Sequence, residues 1–136
     1  MEQSGDAQRF GGTVDHIAVK CDDLRQTARE YERLGFRVES LFDDWAMLRD
    51  PKGFGIALLP PGSKHPPHLA LRVATREELD EAARRENRPV KEHRDRTVSF
   101  YTKGVGDQIV EVIYYPPDYL QESSKQEQAA SEATEA

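Results

Sequence analysis

The chain has very little cysteine and no long apolar segment. Cys21 is the only cysteine among 136 residues, which excludes an internal disulfide and a cysteine-rich zinc module. Such low cysteine usage is typical of proteins from a reducing cytoplasm. No apolar run approaches the roughly 20 residues that cross a bilayer, and residues 1–12 lack the apolar stretch of a secretory signal. The sequence therefore predicts a cytoplasmic protein that does not enter a membrane.

An excess of positive charge is absent as well. The sequence has 19 Lys and Arg against 25 Asp and Glu, a net charge of −6. Proteins that bind nucleic acid or anionic membranes generally carry the opposite sign, because phosphate contacts dominate their affinity. No glycine-rich loop of the kind that cradles phosphate is present, since the Gly104–Gly106 segment is typical of a turn. We therefore expect a small-molecule partner, and neither nucleic acid nor a membrane.

The order of predicted elements repeats along the chain. Apolar and β-branched runs predict strands, and apolar residues at three- and four-residue spacing predict helices. The first half has a strand, a helix and three strands at 13–21, 24–34, 36–42, 45–49 and 54–59. The second half has the same order at 68–74, 76–85, 89–93, 97–103 and 108–115. Each half is therefore predicted to be a βαβββ module.

Two short segments also carry the same residue pattern. Residues 16–20 are His-Ile-Ala-Val-Lys, and residues 68–72 are His-Leu-Ala-Leu-Arg. A unit of this size cannot bury its sheet face alone and must pair with its neighbour. We expect an α+β fold in which modules 12–61 and 67–117 pair into an eight-stranded, partly open barrel-like sheet with a central cavity. Residues 1–11 are predicted to be flexible and residues 118–136 to form a disordered polar tail.

Three polar side chains interrupt the predicted strands. His16, His68 and Glu111 each lie in an otherwise apolar strand. Because side chains alternate between the two faces of a strand and helices can cover the apolar face, these three are expected to line the cavity. A solvated outer face is the alternative that alternation alone permits. The repeat makes positions 16, 57, 68 and 111 equivalent, and they hold His, Ala, His and Glu.

Two imidazoles and one carboxylate form a competent ligand set for a divalent metal ion. Such a set leaves coordination positions open, which a catalytic metal needs for substrate or water. The alternative is that the histidines are structural and no metal binds. Ligand type alone does not separate Fe, Zn, Mn and Ni, although two His and one carboxylate suit Fe(II).

Several motifs resemble the glyoxalase/bleomycin-resistance/dioxygenase superfamily, also called vicinal oxygen chelate. They are residues 15–19, the helix end at 31–36, His68 on the fifth strand, and residues 99–101 leading to Glu111. The resemblance covers about residues 12–117. It implies paired βαβββ modules, one divalent metal ion in the cavity, and a substrate that chelates this ion through adjacent oxygens. It also implies a homodimer, with modules paired within one chain or across subunits.

The resemblance further bears on the reaction. In glyoxalase I a carboxylate base occupies the position of Ala57, and a methyl group can neither ligate a metal nor accept a proton, so this activity is disfavoured. The set of His16, His68 and Glu111 instead resembles extradiol dioxygenases and fosfomycin-modifying thiol transferases. Tyr101, ten residues before Glu111, matches the active-site tyrosine of both branches. We expect Tyr101 to donate a hydrogen bond to a bound oxyanion; a structural tyrosine is the alternative.

Other candidate residues receive simpler interpretations. His65 is three residues from His68, too close for the catalytic histidine of the extradiol branch. His93, in a charged predicted strand, is expected to be exposed. A basic cluster is expected to form a solvated sheet edge rather than an anion site. Its members are Lys91, Arg94, Arg96 and Lys103.

The sequence supports one leading hypothesis and two alternatives. The leading hypothesis is a divalent-metal-dependent enzyme in which His16, His68 and Glu111 hold the metal and Tyr101 acts on the substrate. The first alternative is a metal-free protein that sequesters a small molecule, as in the bleomycin-resistance branch. The second is a structural partner with a vestigial cavity.

Overall fold

The computed structural model describes residues 10–119. Most of the predicted flexible N-terminus and polar tail, residues 1–9 and 120–136, lies outside the described residues. The strands are β1 (Thr13–Lys20), β2 (Arg37–Phe42), β3 (Trp45–Arg49), β4 (Gly55–Leu59), β5 (His68–Val73), β6 (Lys91–Glu92), β7 (Val98–Lys103) and β8 (Ile109–Tyr114). The helices are α1 (Leu24–Arg33) and α2 (Arg76–Glu86). Within residues 10–119, neither helix combines the length and apolar character that crossing a bilayer demands.

All eight strands form one mixed sheet that curls into a half-barrel. Its order is β2-β3-β4-β1-β5-β8-β7-β6. Strand β1 runs parallel to β4 and β5 runs parallel to β8, while β1 and β5 meet antiparallel at the centre. The second half of this order repeats the first in reverse, so the two modules are related by an approximate two-fold about the β1/β5 pair. The predicted α+β fold with two paired βαβββ modules is confirmed, and the modules pair within one chain.

Helix boundaries follow from local capping chemistry. The Asp23 carboxylate accepts a hydrogen bond from the Gln26 amide at the start of α1. Thr75 and Glu78 form the reciprocal hydrogen bonds of a capping box at the start of α2, an arrangement that typically contributes about 1 kcal/mol. Asn87, with a left-handed backbone at φ 56°, ends α2. These caps set the residue at which α1 begins and the residues at which α2 begins and ends.

The convex face of each module packs against its own helix. Leu24 and Ala28 of α1 contact a buried cluster on β3 and β4. Leu79 and its neighbours on α2 contact Val110 and Val112 of β8. The predicted alternation is therefore confirmed for β8, where Glu111 lies between two valines that face the helix. With the convex face buried in this way, the concave face is left to form a cavity.

Two parts of the fold differ from the sequence prediction. The strand predicted at 89–93 is only Lys91–Glu92, because proline at 89 has no amide hydrogen for the sheet and His93 begins a tight turn. This turn is closed by the Arg96 amide, which donates to the His93 carbonyl over 2.9 Å. In β1 the register with β5 shifts between Val14 and His16. Alternation places Val14 with His16 on the cavity face, but Val14 is 49% exposed.

Candidate metal centre

The sheet register brings the three predicted ligands onto neighbouring strands. In the β1/β5 pair, His16 lies opposite Ala70 and His68 lies opposite Ala18. Ala70 also lies opposite Glu111 in the β5/β8 pair. Each alanine is small, so the larger polar side chains converge above the methyl groups. Ala18 and Ala70, the alanines of the two repeated segments, therefore leave room on this face for the histidines and Glu111.

The donor atoms of the three side chains meet at one point. Glu111 Oε1 lies 3.1 Å from His68 Nε2 and 3.4 Å from His16 Nε2. One ligand atom from each residue lies within 4.8 Å of the others. All three side chains are at most 5% exposed. A single chain therefore assembles the whole His-His-Glu group.

The remaining ring nitrogen of each histidine is held by an acceptor. His16 Nδ1 lies 2.6 Å from Asp15 Oδ2, and His68 Nδ1 lies 2.7 Å from the Pro66 carbonyl oxygen. A carbonyl or carboxylate oxygen only accepts, so both Nδ1 atoms carry hydrogen. Both Nε2 atoms are then available toward Glu111. Metal-bound histidines are oriented in this way, so the donor set fits a divalent metal ion.

The electrostatics of the group stabilise positive charge beside Glu111, either as a proton on His16 or as a bound cation. Burial alone would raise the pKa of Glu111, but hydrogen bonds and charge from His16 and His68 lower it well below its usual range. Burial opposes the charged form of His16, yet Asp15 and Glu111 raise its pKa to about 8. The nearby Arg49 guanidinium is shared between Asp15 and Glu39 and forms no ion pair with Glu111. A bound cation would compensate the buried Glu111 carboxylate.

A cavity of about 300 Å³ opens next to this group. Apolar side chains form part of its wall, namely Trp45, Met47, Leu59 and Ile113. Tyr101, the predicted catalytic residue, lines the same cavity and lies opposite Glu111 in the β7/β8 register. Its ring contacts the His68 ring edge-on at 5.1 Å. Burial and the Glu111 carboxylate raise the pKa of Tyr101, so the phenol retains its proton and can donate a hydrogen bond.

Two further histidines reach the cavity. His65 Nδ1 lies 3.3 Å from the Tyr101 hydroxyl, and burial together with nearby His93 lowers the pKa of His65. His93 Nε2 lies 2.7 Å from Ser99 Oγ and 3.7 Å from Glu111 Oε2. The prediction that His93 is exposed is wrong, since its side chain is only 19% exposed. Because His93 lies in a turn, no strand periodicity in the sequence indicates its direction.

The basic cluster divides between the cavity and the surface. Lys91 and Arg94 line the cavity. Arg94 also forms an ion pair with Asp44 and stacks over Phe42 at 4.0 Å. Arg96 pairs with Asp118 at 3.1 Å on the surface. All four side chains are exposed and Lys91 lies on the edge strand β6, as the predicted solvated edge requires, although Lys91 and Arg94 also lie at the mouth of the cavity.

The fourth repeat-equivalent position carries no donor. Ala57 lies opposite Ala18 on β1 and Met47 on β3. It is 1% exposed and packs in an apolar cluster with those residues. The candidate donors at these four positions are therefore two imidazoles and one carboxylate.

No protein-family model and no curated protein sequence matches this chain. Solved structures do match. A variant of homoprotocatechuate 2,3-dioxygenase from B. fuscum in complex with HPCA aligns with 78% of this chain and 36% of its own, at 18% identity and a TM-score of 0.60. Methylmalonyl-CoA epimerase from Mycobacterium tuberculosis aligns over 77% and 89%, at 19% identity and a TM-score of 0.58. The Mn(II)-bound glyoxalase from Novosphingobium aromaticivorans aligns over 74% and 37%, at 20% identity and a TM-score of 0.58.

These similarities establish the fold. The three structures belong to the vicinal oxygen chelate superfamily, and the chain shares their arrangement of paired modules. It spans little more than a third of the dioxygenase and glyoxalase chains but nearly nine-tenths of the epimerase chain. The fold expected from the sequence resemblance is thus confirmed. Sites and activity differ within one fold, so the reaction has to be argued from this chain's own residues.

Proposed function

We propose that this chain is a divalent-metal-dependent enzyme acting on a small substrate that chelates the metal through oxygens. The observation that carries the proposal is the convergence of His16 Nε2, His68 Nε2 and Glu111 Oε1 within 4.8 Å. Both imidazoles are already oriented through Nδ1 by oxygen acceptors. Buried, preoriented donors beside a ligand-sized cavity are what a catalytic metal site requires.

The proposed ligands are His16, His68 and Glu111, and they are compatible with Fe, Zn, Mn or Ni. When bound, the ion would supply Lewis-acid stabilisation to oxygens of the substrate. The apolar wall beside the ligands would hold the carbon skeleton of the substrate and exclude water. Structures with this fold include an Mn(II)-bound glyoxalase and a dioxygenase in complex with HPCA, which supports a metal and an oxygen-rich small molecule in general.

Tyr101 is the proposed catalytic side chain, in addition to the metal ion. Its hydroxyl lies in the cavity next to the ligand group and keeps its proton, so it would donate a hydrogen bond to negative charge on a substrate oxygen. His65 Nδ1 lies 3.3 Å from the hydroxyl, and in its Nδ1-protonated form it would donate to the Tyr101 oxygen and leave the phenol proton for the substrate. Ala57 offers no carboxylate at the position where glyoxalase I uses one, which disfavours that activity here.

One observation favours a second candidate, a metal-free protein that sequesters a small molecule. The raised pKa of His16, about 8, allows an imidazolium to pair with Glu111 at 3.4 Å without any metal. In that case the cavity would bind a ligand but perform no chemistry.

The homodimer and the cytoplasmic location remain predictions. Light scattering after size-exclusion chromatography tests the homodimer.

Metal analysis separates the two candidates. The protein is purified without chelators, incubated separately with Fe(II), Zn(II), Mn(II) and Ni(II), desalted, and analysed by mass spectrometry of the elements. We expect one ion per chain in the wild type and a large loss in His68→Ala. His65→Ala is the matched control, a cavity histidine outside the ligand group, and it should retain the ion. A wild type that binds none of the four metals would overturn the enzyme proposal.

A further inference from the structure

An irregularity in β1 places two consecutive polar residues in the wall of the half-barrel. The β1/β5 register pairs Val14 with Leu71 and then His16 with Ala70, so Asp15 is an extra residue in β1. Such a bulge interrupts the alternation of side chains. Strict alternation would direct Asp15 to the face opposite His16. Instead Asp15 is 6% exposed and its carboxylate is hydrogen-bonded to the His16 ring.

Asp15 is surrounded by donors from distant parts of the chain. Its Oδ2 accepts hydrogen bonds from His16 Nδ1 and from the Tyr115 hydroxyl. Its Oδ1 accepts from Arg49 Nη1 over 3.1 Å. Arg49 comes from the first module and Tyr115 from the second, so both modules hold the carboxylate in place.

Arg49 is itself immobilised. Its Nη2 donates to the Tyr115 hydroxyl oxygen over 2.9 Å, and its Nε donates to Glu39 over 3.3 Å. Its Nη1 also donates to the Gly53 carbonyl over 3.1 Å. The guanidinium has five donors and no acceptor. It therefore sets the donor and acceptor roles in the hydrogen bonds from Arg49 to Tyr115 and from Tyr115 to Asp15.

The direction of the bonds determines which nitrogen of His16 carries hydrogen. Arg49 only donates, so the Tyr115 oxygen accepts from it and the single Tyr115 proton goes to Asp15. The ionised Asp15 carboxylate only accepts, so the hydrogen between it and His16 belongs to Nδ1. The nitrogen left free to bind a ligand is therefore Nε2, which faces Glu111.

We propose that Asp15, Tyr115 and Arg49 form a positioning chain that holds His16 in its Nε2-ligating form and thereby sets the metal affinity of the site. The proposal rests on the proposed function, because it concerns the same metal. None of these three residues belongs to the His-His-Glu group; Tyr115 also lines the cavity, whereas Asp15 and Arg49 lie behind its lining. His68 needs no such chain, since a backbone carbonyl, Pro66 O, holds its Nδ1 at 2.7 Å.

The difference between the two histidines makes the proposal testable by substitution. Asp15→Asn removes the charge and leaves one oxygen for three donors, while Tyr115→Phe removes a single donor and preserves the ring. The neighbouring Tyr114 lies on the opposite face, packed against the α2 cluster. Tyr114→Phe is therefore the matched control for Tyr115→Phe.

The measurement is the Zn(II) affinity of the full chain by competition with a chromophoric chelator. We expect Asp15→Asn to bind Zn(II) about 10- to 100-fold more weakly than the wild type. Tyr115→Phe should lose roughly threefold to tenfold, because Asp15 keeps two of its three donors. Tyr114→Phe should match the wild type. If Asp15→Asn fails to fold, Tyr115→Phe alone decides the question.

Nitrogen-15 NMR of the histidine side chains provides a readout that a purely structural role would not move. In the Zn(II)-loaded wild type, the His16 and His68 rings should both show a protonated Nδ1 and a metal-bound Nε2, and each ring is assigned through correlations to its own backbone amide. In the variants we expect the His16 signature to become mixed, with the His68 signals unchanged. Unaltered affinity and an unaltered His16 signature in both variants would overturn the positioning chain. A wild type that binds neither Zn(II) nor any of the other three metals would instead refute the proposed function itself.

Discussion

Gly55 lies directly against His16 in the parallel pair formed by β4 and β1. The two residues are Cα partners in the sheet register. A Cβ atom at position 55 would lie 2.8 Å from His16 Cβ and 2.7 Å from Arg49 Nη1. Real Cβ atoms do not approach so closely, so the absence of a side chain at Gly55 is a condition for the observed place of His16.

Gly55→Ala is therefore expected to disturb the candidate metal centre by displacing His16 from the side of β4. The added methyl group should displace His16 and Arg49, lowering the free energy of unfolding by about 1–3 kcal/mol and weakening Zn(II) binding. Chemical denaturation and chelator competition measure the two effects.

The control for this substitution is Gly104→Ala. A Cβ there would collide with the Val110 side chain, on the helix-facing side of β8 and away from the ligands. This variant should be destabilised while folded protein keeps its Zn(II) affinity. Equal loss of affinity in both variants would show that the effect of Gly55→Ala is not local to His16.

Tyr101→Phe tests the proposed hydrogen-bond donor. The probe is 4-nitrocatechol, a coloured ligand with adjacent oxygens, added to metal-loaded protein. Loss of a donor to a charged oxygen should weaken its binding about tenfold or more, with the metal affinity unchanged. Absorbance titration measures this, and Tyr114→Phe is the control. Unchanged affinity for the probe would favour the structural interpretation of Tyr101.

Metal binding should stabilise the folded chain. An ion that binds only the folded state at about 100 times its Kd contributes about 2.7 kcal/mol, and for a domain of this size that raises the Tm by roughly 10 °C. Differential scanning fluorimetry with each of the four metals measures the shift. Excess chelator should reverse it, and Glu111→Gln should show little of it. An equal shift in Glu111→Gln would mean that the ion binds elsewhere.

The sequence predicted the fold and the ligand group because both leave periodic signals. Strand alternation isolated Glu111 between two valines, and the repeat aligned His16 with His68. Asp15 was not predicted because a bulge breaks the period of two at that point. Arg49 and Tyr115 contact Asp15 across 34 and 100 positions of sequence, and no local pattern encodes such a contact. His93 lies in a turn, where direction depends on backbone geometry rather than on periodicity.

The substrate is also not encoded in any local pattern. The cavity combines an apolar wall with four histidines, Tyr101, two basic and five acidic side chains, and this mixture does not select one small molecule. The residues around the candidate metal centre would constrain how a ligand is held, while its identity depends on the shape of the whole cavity.

Anomalous X-ray diffraction from a crystal of metal-loaded protein tests the central claim most directly. Data collected above and below the absorption edge of the bound metal locate the ion and identify the element. The account predicts one strong anomalous peak within bonding distance of His16 Nε2, His68 Nε2 and a Glu111 carboxylate oxygen. A saturated crystal with no peak among these three side chains, or with the peak at another site, would contradict it.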